Sequence, residues 1–184
     1  MALAEELERI AELAASHAGP EDVVSAVIPT EARPGRTVYL CAFDDADGYR
    51  SWLALDGEAA AVTDRKELRE AIAIAALCEV AADAAAGGDL DELIARLQEL
   101  QERERPPGID RAIEAARALR IVLGDPPQLA TPARLDEIGV ATRRLEGELE
   151  PTGSSPFGLT LRSSEAAVGE LQREIEAGYR LALD

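Results

Sequence analysis

The stretch at 63–88, TDRKELREAIAIAALCEVAADAAAGG, decides how the chain is read. Its first turns carry Arg65, Lys66, Glu67, Arg69 and Glu70, which predicts an end that meets water. From Ala71 to Ala86 it is apolar on every side except at Glu79 and Asp83. A helix without a polar face is normally enclosed by other elements. Asp64 with Glu67 three residues on has the spacing of a capping box, and Gly87-Gly88 ends the helix. The expectation is a central Ala-rich helix around which the rest packs.

On the N-terminal side, residues 2–17 predict an amphipathic helix, with Leu3, Leu7, Ile10 and Ala14 on one face and Gly19-Pro20 as its stop. Glu21 to Ala26 suggests a short second helix, and the proline-bearing segment 28–35 reads as an extended linker. Two runs, TVYLCAF at 37–43 and YRSWLAL at 49–55, are rich in β-branched and aromatic residues. The turn-forming loop Asp44-Asp-Ala-Asp-Gly48 between them predicts an antiparallel hairpin. Pairing Phe43 with Tyr49 sets Leu40 opposite Trp52 and Tyr39 opposite Leu53. Both faces are then apolar, so the hairpin needs cover: helices, a third strand (Ala59–Val62 is a weak candidate) or a second copy.

On the C-terminal side, apolar stripes predict helices over 89–105 (Leu90, Leu93, Ile94, Leu97, Leu100) and 109–123 (Ile109, Ala112, Ile113, Ala116, Leu119, Leu123). A third, from Pro132 to about 149, carries Leu135, Ile138, Thr142, Leu145 and Leu149 at the a/d spacing of a bundle seam. Pro151 to Gly158 is the most loop-like stretch. A last helix over 164–182 presents Ala167, Val168, Leu171, Ile175 and Ala182.

These patterns predict a mainly α chain, α+β by strict count. It is a bundle of about six helices around the Ala-rich helix, with a small antiparallel β-hairpin near the N-terminus. One domain over 1–184 is expected, with 1–62 as a helix-plus-hairpin layer and 63–184 as the helical bundle.

The formal charge of −17 disfavours nucleic acid and anionic bilayers as partners. The longest apolar run, Ala71 to Cys78, is too short to span a membrane. Acids in the first residues do not suit a signal peptide, and two cysteines without metal spacing fit a reducing cytoplasm. Lys66 is the only lysine, a usage that points to a GC-rich coding sequence.

Glu79 is the chemical anomaly, because it shares a helical face with Leu68, Ile72 and Ala76, and Asp83 follows one turn later. A carboxylate there needs a partner or a proton. Arg120 lies on the apolar stripe of its own helix between Ala116 and Leu123, so a buried Glu79–Arg120 pair is the expectation. Cys78 with His17, the single histidine, is a conceivable nucleophile pair, although His17 beside Gly-Pro better suits the cap of a helix C-terminus. No Glu-x-x-His motif occurs, and the Asp44–Gly48 loop has Phe43 and Ala54 where calcium ligands belong, so no metal site is expected. Phosphate-loop, dinucleotide and nucleophile-elbow motifs are absent, and no cofactor is expected.

Two functional readings remain. One is a non-catalytic helical protein that acts by association, as a homo-oligomer or with a protein partner, with Phe157 as a candidate anchor in an interaction loop. The other is a small-molecule binder or enzyme. Its pocket would lie between hairpin and central helix, walled by Tyr39, Tyr49 and Trp52, with Glu79 and Arg120 as polar groups.

Overall fold

The computed structural model describes the backbone at 2–86, 89–125, 127–153 and 158–181, and the side chains there except at 80–86, 89 and 158–166. Among the described residues six α-helices and one three-stranded antiparallel sheet follow in the order α1 (Leu3–Ala14), β1 (Val23–Arg33), β2 (Arg36–Asp44), β3 (Arg50–Leu55), α2 (Arg65–Ala86), α3 (Asp89–Arg103), α4 (Ile109–Leu123), α5 (Pro132–Leu149) and α6 (Gly158–Ala177). The class is therefore α+β with mostly helix. The chain divides into two compact units. The first holds 1–77, 127–132 and 169–184; the second holds 78–126 and 133–168.

The first unit is built on the sheet, ordered β1-β2-β3. Residues 21–35 form neither a helix nor a linker: Val23–Arg33 is an edge strand paired with β2 from Val23↔Asp44 to Arg33↔Arg36. Val23, Val24, Val27 and Ile28 favour extended backbone, and an edge strand tolerates Pro29, which has no N–H to donate. The carbonyl of Pro29 accepts from the Ala130 N–H, and Ala130 O accepts from Glu31, so the 127–132 segment closes that edge. The third strand is thus β1, not Ala59–Val62, of which Ala61 makes only an isolated bridge to Leu55.

The hairpin of β2 and β3 is present, in a register two residues from the expected one: Ala42 faces Trp52 and Leu40 faces Ala54. Asp45 explains the shift. Its Oδ1 accepts the N–H groups of Asp47 and Tyr49, drawing Tyr49 out of the strand, and Arg50 then closes the ladder on Asp44. Side chains alternate with period two, so a shift of two keeps every face. Val38, Leu40, Ala42, Trp52 and Ala54 lie against Leu68, Ala71, Ile72 and Ala75 of α2 and Ile175 of α6. Tyr39, Cys41, Phe43, Leu53 and Leu55 lie against Ile10 and Ala14 of α1. Each fully buried Leu, Ile or Phe here adds about 1.5–3 kcal/mol.

The other edge is closed by the chain end. Trp52 N–H donates to Gly178 O at 2.8 Å, Arg180 N–H donates to Trp52 O at 2.9 Å, and the Tyr179 hydroxyl accepts from Ala54 N–H. A β-carbon on Gly178 would sit 2.7 Å from the carbonyl oxygen of Arg50, so only glycine permits this approach.

α2 begins as its sequence suggests, with Asp64 Oδ1 accepting from Lys66 and Glu67 N–H. One residue of the polar first turns does not meet water. Glu67 is only 2% exposed, and Arg36 of β2 reaches its Oε1 at 2.5 Å. It lies one position before Leu68 and one turn before Ala71, on the edge of the buried stripe.

The second unit has its own core of Leu90 and Leu97 from α3, seven apolar residues of α4, and Ile138, Leu145 and Leu149 of α5. The a/d seam of α5 is thus used inside the unit. Arg111 and Arg144 tie α4 to α5 through Glu148 and Glu114, and Arg134 caps α4 by donating to Leu123 O. The expected bundle wrapped round α2 is not found among the described residues: the first half of α2 packs on the sheet, and the core of the second unit is drawn from α3, α4 and α5. α6 ends at Ala177, and the predicted helix end at Ala182 lies outside the described residues, as does the Gly87-Gly88 stop.

Candidate functional site

The expected polar pair is not assembled. Arg120 is about one-third exposed; its Nη1 donates to Gly124 O at 3.1 Å and its Nη2 to Asp125 at 3.2 Å, with Asp91 at 3.7 Å from Nε. Its place on the stripe is reconciled by length: the aliphatic stem crosses apolar surface and the guanidinium emerges at the helix end, where it satisfies a terminal carbonyl. Glu79 is partly buried on α2, beyond the buried Ala75 and Ala76. The side chains of Asp83 and Phe157 lie outside the described residues.

Tyr39, Tyr49 and Trp52 do not form one wall. Tyr39 is buried on the α1 face of the sheet, where its hydroxyl donates to Glu6 Oε1 at 2.5 Å. Trp52 is buried on the opposite face, and Tyr49 is 78% exposed at the hairpin tip. His17 lies in the turn that follows α1, but its ring does not cap that helix as expected: its Nε2 bonds to Ala59 O at 2.9 Å. That bond holds the β3–α2 loop where Ala59 adopts a φ of +61°.

The best-organised polar cluster was not signalled by the sequence. Arg180 lies with its guanidinium 4.0 Å from the centre of the Phe43 ring. Its Nη2 donates to Asp22 at 2.6 Å, its Nη1 to His17 O at 2.5 Å and its Nε to Ser51 at 2.9 Å. The N–H of Gly19, then Arg180, hold the Asp22 carboxyl below its usual range. All three guanidinium nitrogens are engaged, so the cluster locks the 178–180 segment onto the sheet. Cys41 lies beneath it in the α1-side core, and burial pushes its thiol up to about 12, which leaves it an inert apolar group. Among the described residues no three His, Cys, Asp or Glu side chains come together as metal ligands. None of the helices searched is long and apolar enough to cross a membrane.

Exposed aliphatic side chains occur in both units, Val23 of β1 at 66% among them, and on the second unit they lie at shallow hollows. Ile121 on α4 is 79% exposed and Val140 on α5 is 59% exposed. Ala118, Val122, Val140 and Ala141 line a shallow hollow between the two helices, rimmed by Asp136, Glu137 and Arg144. A second hollow adjoins it at Ala118, lined by Ile113, Glu114, Arg117 and Ile121 of α4 with Gln101 of α3. A row at i, i+3 and i+4 (Ala118, Ile121, Val122) therefore runs beside the buried stripe of α4, and that spacing was available in the sequence. Aliphatic surface with a charged rim is a composition that protein-contact sites share.

Comparison with protein-family models, with curated proteins and with solved structures finds no match for this chain.

Proposed function

We propose that the chain works by association, with the α4–α5 face of its second unit as the contact surface. One observation carries this reading: Val140 stands out in water in the apolar hollow and Ile121 in the hollow that adjoins it at Ala118. In the first unit the apolar faces of the sheet are covered by α1 and α2 and its edges are met by 127–132 and 178–180, with Val23 exposed at a strand end. Folding gains nothing from leaving aliphatic side chains exposed, whereas a binding surface needs them. The hollow is open, with an aliphatic floor and its charges at the rim, which suits side chains of another protein better than a small polar metabolite.

The paired substitution Ile121→Asp with Val140→Asp tests the reading. The variant keeps the circular dichroism and melting temperature of the parent, because neither side chain is buried. Chemical cross-linking in cells that normally make the protein gives a discrete larger species with the parent and none with the variant. An identical cross-linking pattern for both would overturn the proposal.

A further inference from the structure

Resting on that reading, we infer that the occupant of the α4–α5 hollow is an amphipathic helix of another protein, with an aliphatic row flanked by Lys or Arg.

Shape argues for a helix. The hollow lies between two helices: Ala118 and Val122, one turn apart, line it from α4, and Glu137, Val140, Ala141 and Arg144, at i, i+3, i+4 and i+7, line it from α5. A third helix can set a ridge of side chains into such a groove.

Charge argues for a basic one. Arg144 on the rim is within 3.8 Å of Glu114, so its charge is already answered within the unit. Among the described residues, Asp136 and Glu137 have no ion-pair partner, and they stand at the edge of the apolar floor. Arg117 offers one cation, at the neighbouring hollow. A helix lying along the first hollow meets two unanswered carboxylates beside aliphatic surface, in a chain of net charge −17. The same numbers count against a second copy, since a two-fold interface would bring both pairs of carboxylates together on two molecules of like charge.

The test uses the full chain and three labelled model helices of equal length, followed by fluorescence anisotropy at near-physiological salt. The first has a Leu row at i, i+3, i+4 and i+7 flanked by Lys, the second the same row flanked by Glu, and the third the Lys flanks with Ser replacing Leu. The expected result is micromolar binding of the first helix only, the other two at least tenfold weaker. Asp136→Lys with Glu137→Lys should weaken the first helix at least tenfold, with amide shifts on binding centred on Ala118, Val122, Val140 and Ala141. Equal binding of the Ser helix, or indifference to the charge reversal, would overturn the inference. A dimer in light scattering that Val140→Asp dissociates would also overturn it while upholding association through this face. If all three helices fail but cross-links still form at Ile121, the surface stands and its basic-helix occupant does not.

Discussion

Arg180 donates from Nη2 to Asp22 at 2.6 Å, joining residues 158 positions apart in sequence. The same guanidinium covers Phe43 and holds the carbonyl of His17 at the end of the first helix. The 178–180 segment is therefore part of the first unit's sheet, and loss of its contacts should be felt across that unit.

Arg180→Ala should destabilise the first unit by on the order of 2–3 kcal/mol, from lost charge-assisted hydrogen bonds and the cation–π contact. That lowers the melting temperature by roughly 5–10 °C. Trp52, the only tryptophan, is buried beside Gly178 and reports the transition by fluorescence. Arg180→Lys should recover less than half, because an ammonium cannot serve three acceptors in a plane.

The pH dependence follows from Asp22. Its carboxyl is lowered from 3.8 in the folded state, by the Gly19 N–H and then by Arg180. A depressed folded value means stability that is present above the unfolded pKa and lost as pH falls through the folded one. Asp22→Asn should thus lower the melting temperature at pH 7, and the gap to the parent should narrow as the pH falls below 3.8 and through the lowered folded value. A gap that stays constant from pH 7 to pH 2 would show that the charge of Asp22 is not what Arg180 holds.

Gly178→Ala should cost about 1–3 kcal/mol by overpacking, since the new methyl meets the backbone oxygen of Arg50. The expected signature is a red-shifted Trp52 emission together with faster amide exchange at Trp52 and Ala54, whose N–H groups bond to this segment.

Cys41 should resist alkylation in the native protein at pH 8, with its thiol at about 12 and no exposed surface. Mass spectrometry after iodoacetamide treatment should find it modified only once the first unit is unfolded.

Much of this architecture can be read from periodicity. The stripes of α1, α3, α4 and α5 are buried where they were expected, and Tyr39 and Trp52 fall on opposite faces of the sheet as their alternation requires. β1 was hidden because Pro29 and Pro34-Gly35 look like breakers, while an edge strand and its turn accommodate them. The Arg180 cluster was hidden for a different reason: it joins the two ends of the chain, and no local pattern encodes a contact over 158 positions. Arg120 misled in the opposite sense, since a long side chain can start on a buried stripe and finish in water.

The central claim is that the α4–α5 face binds another protein, and the most direct measurement is site-specific photo-cross-linking. A photoreactive amino acid is placed at Ile121, and in a parallel sample at Tyr49, which is equally exposed on the first unit. Both proteins are irradiated in the cells that normally make them. The account predicts a discrete adduct from position 121, lost on Val140→Asp, and none from position 49. No adduct at 121, or the same adducts from both positions, would contradict it.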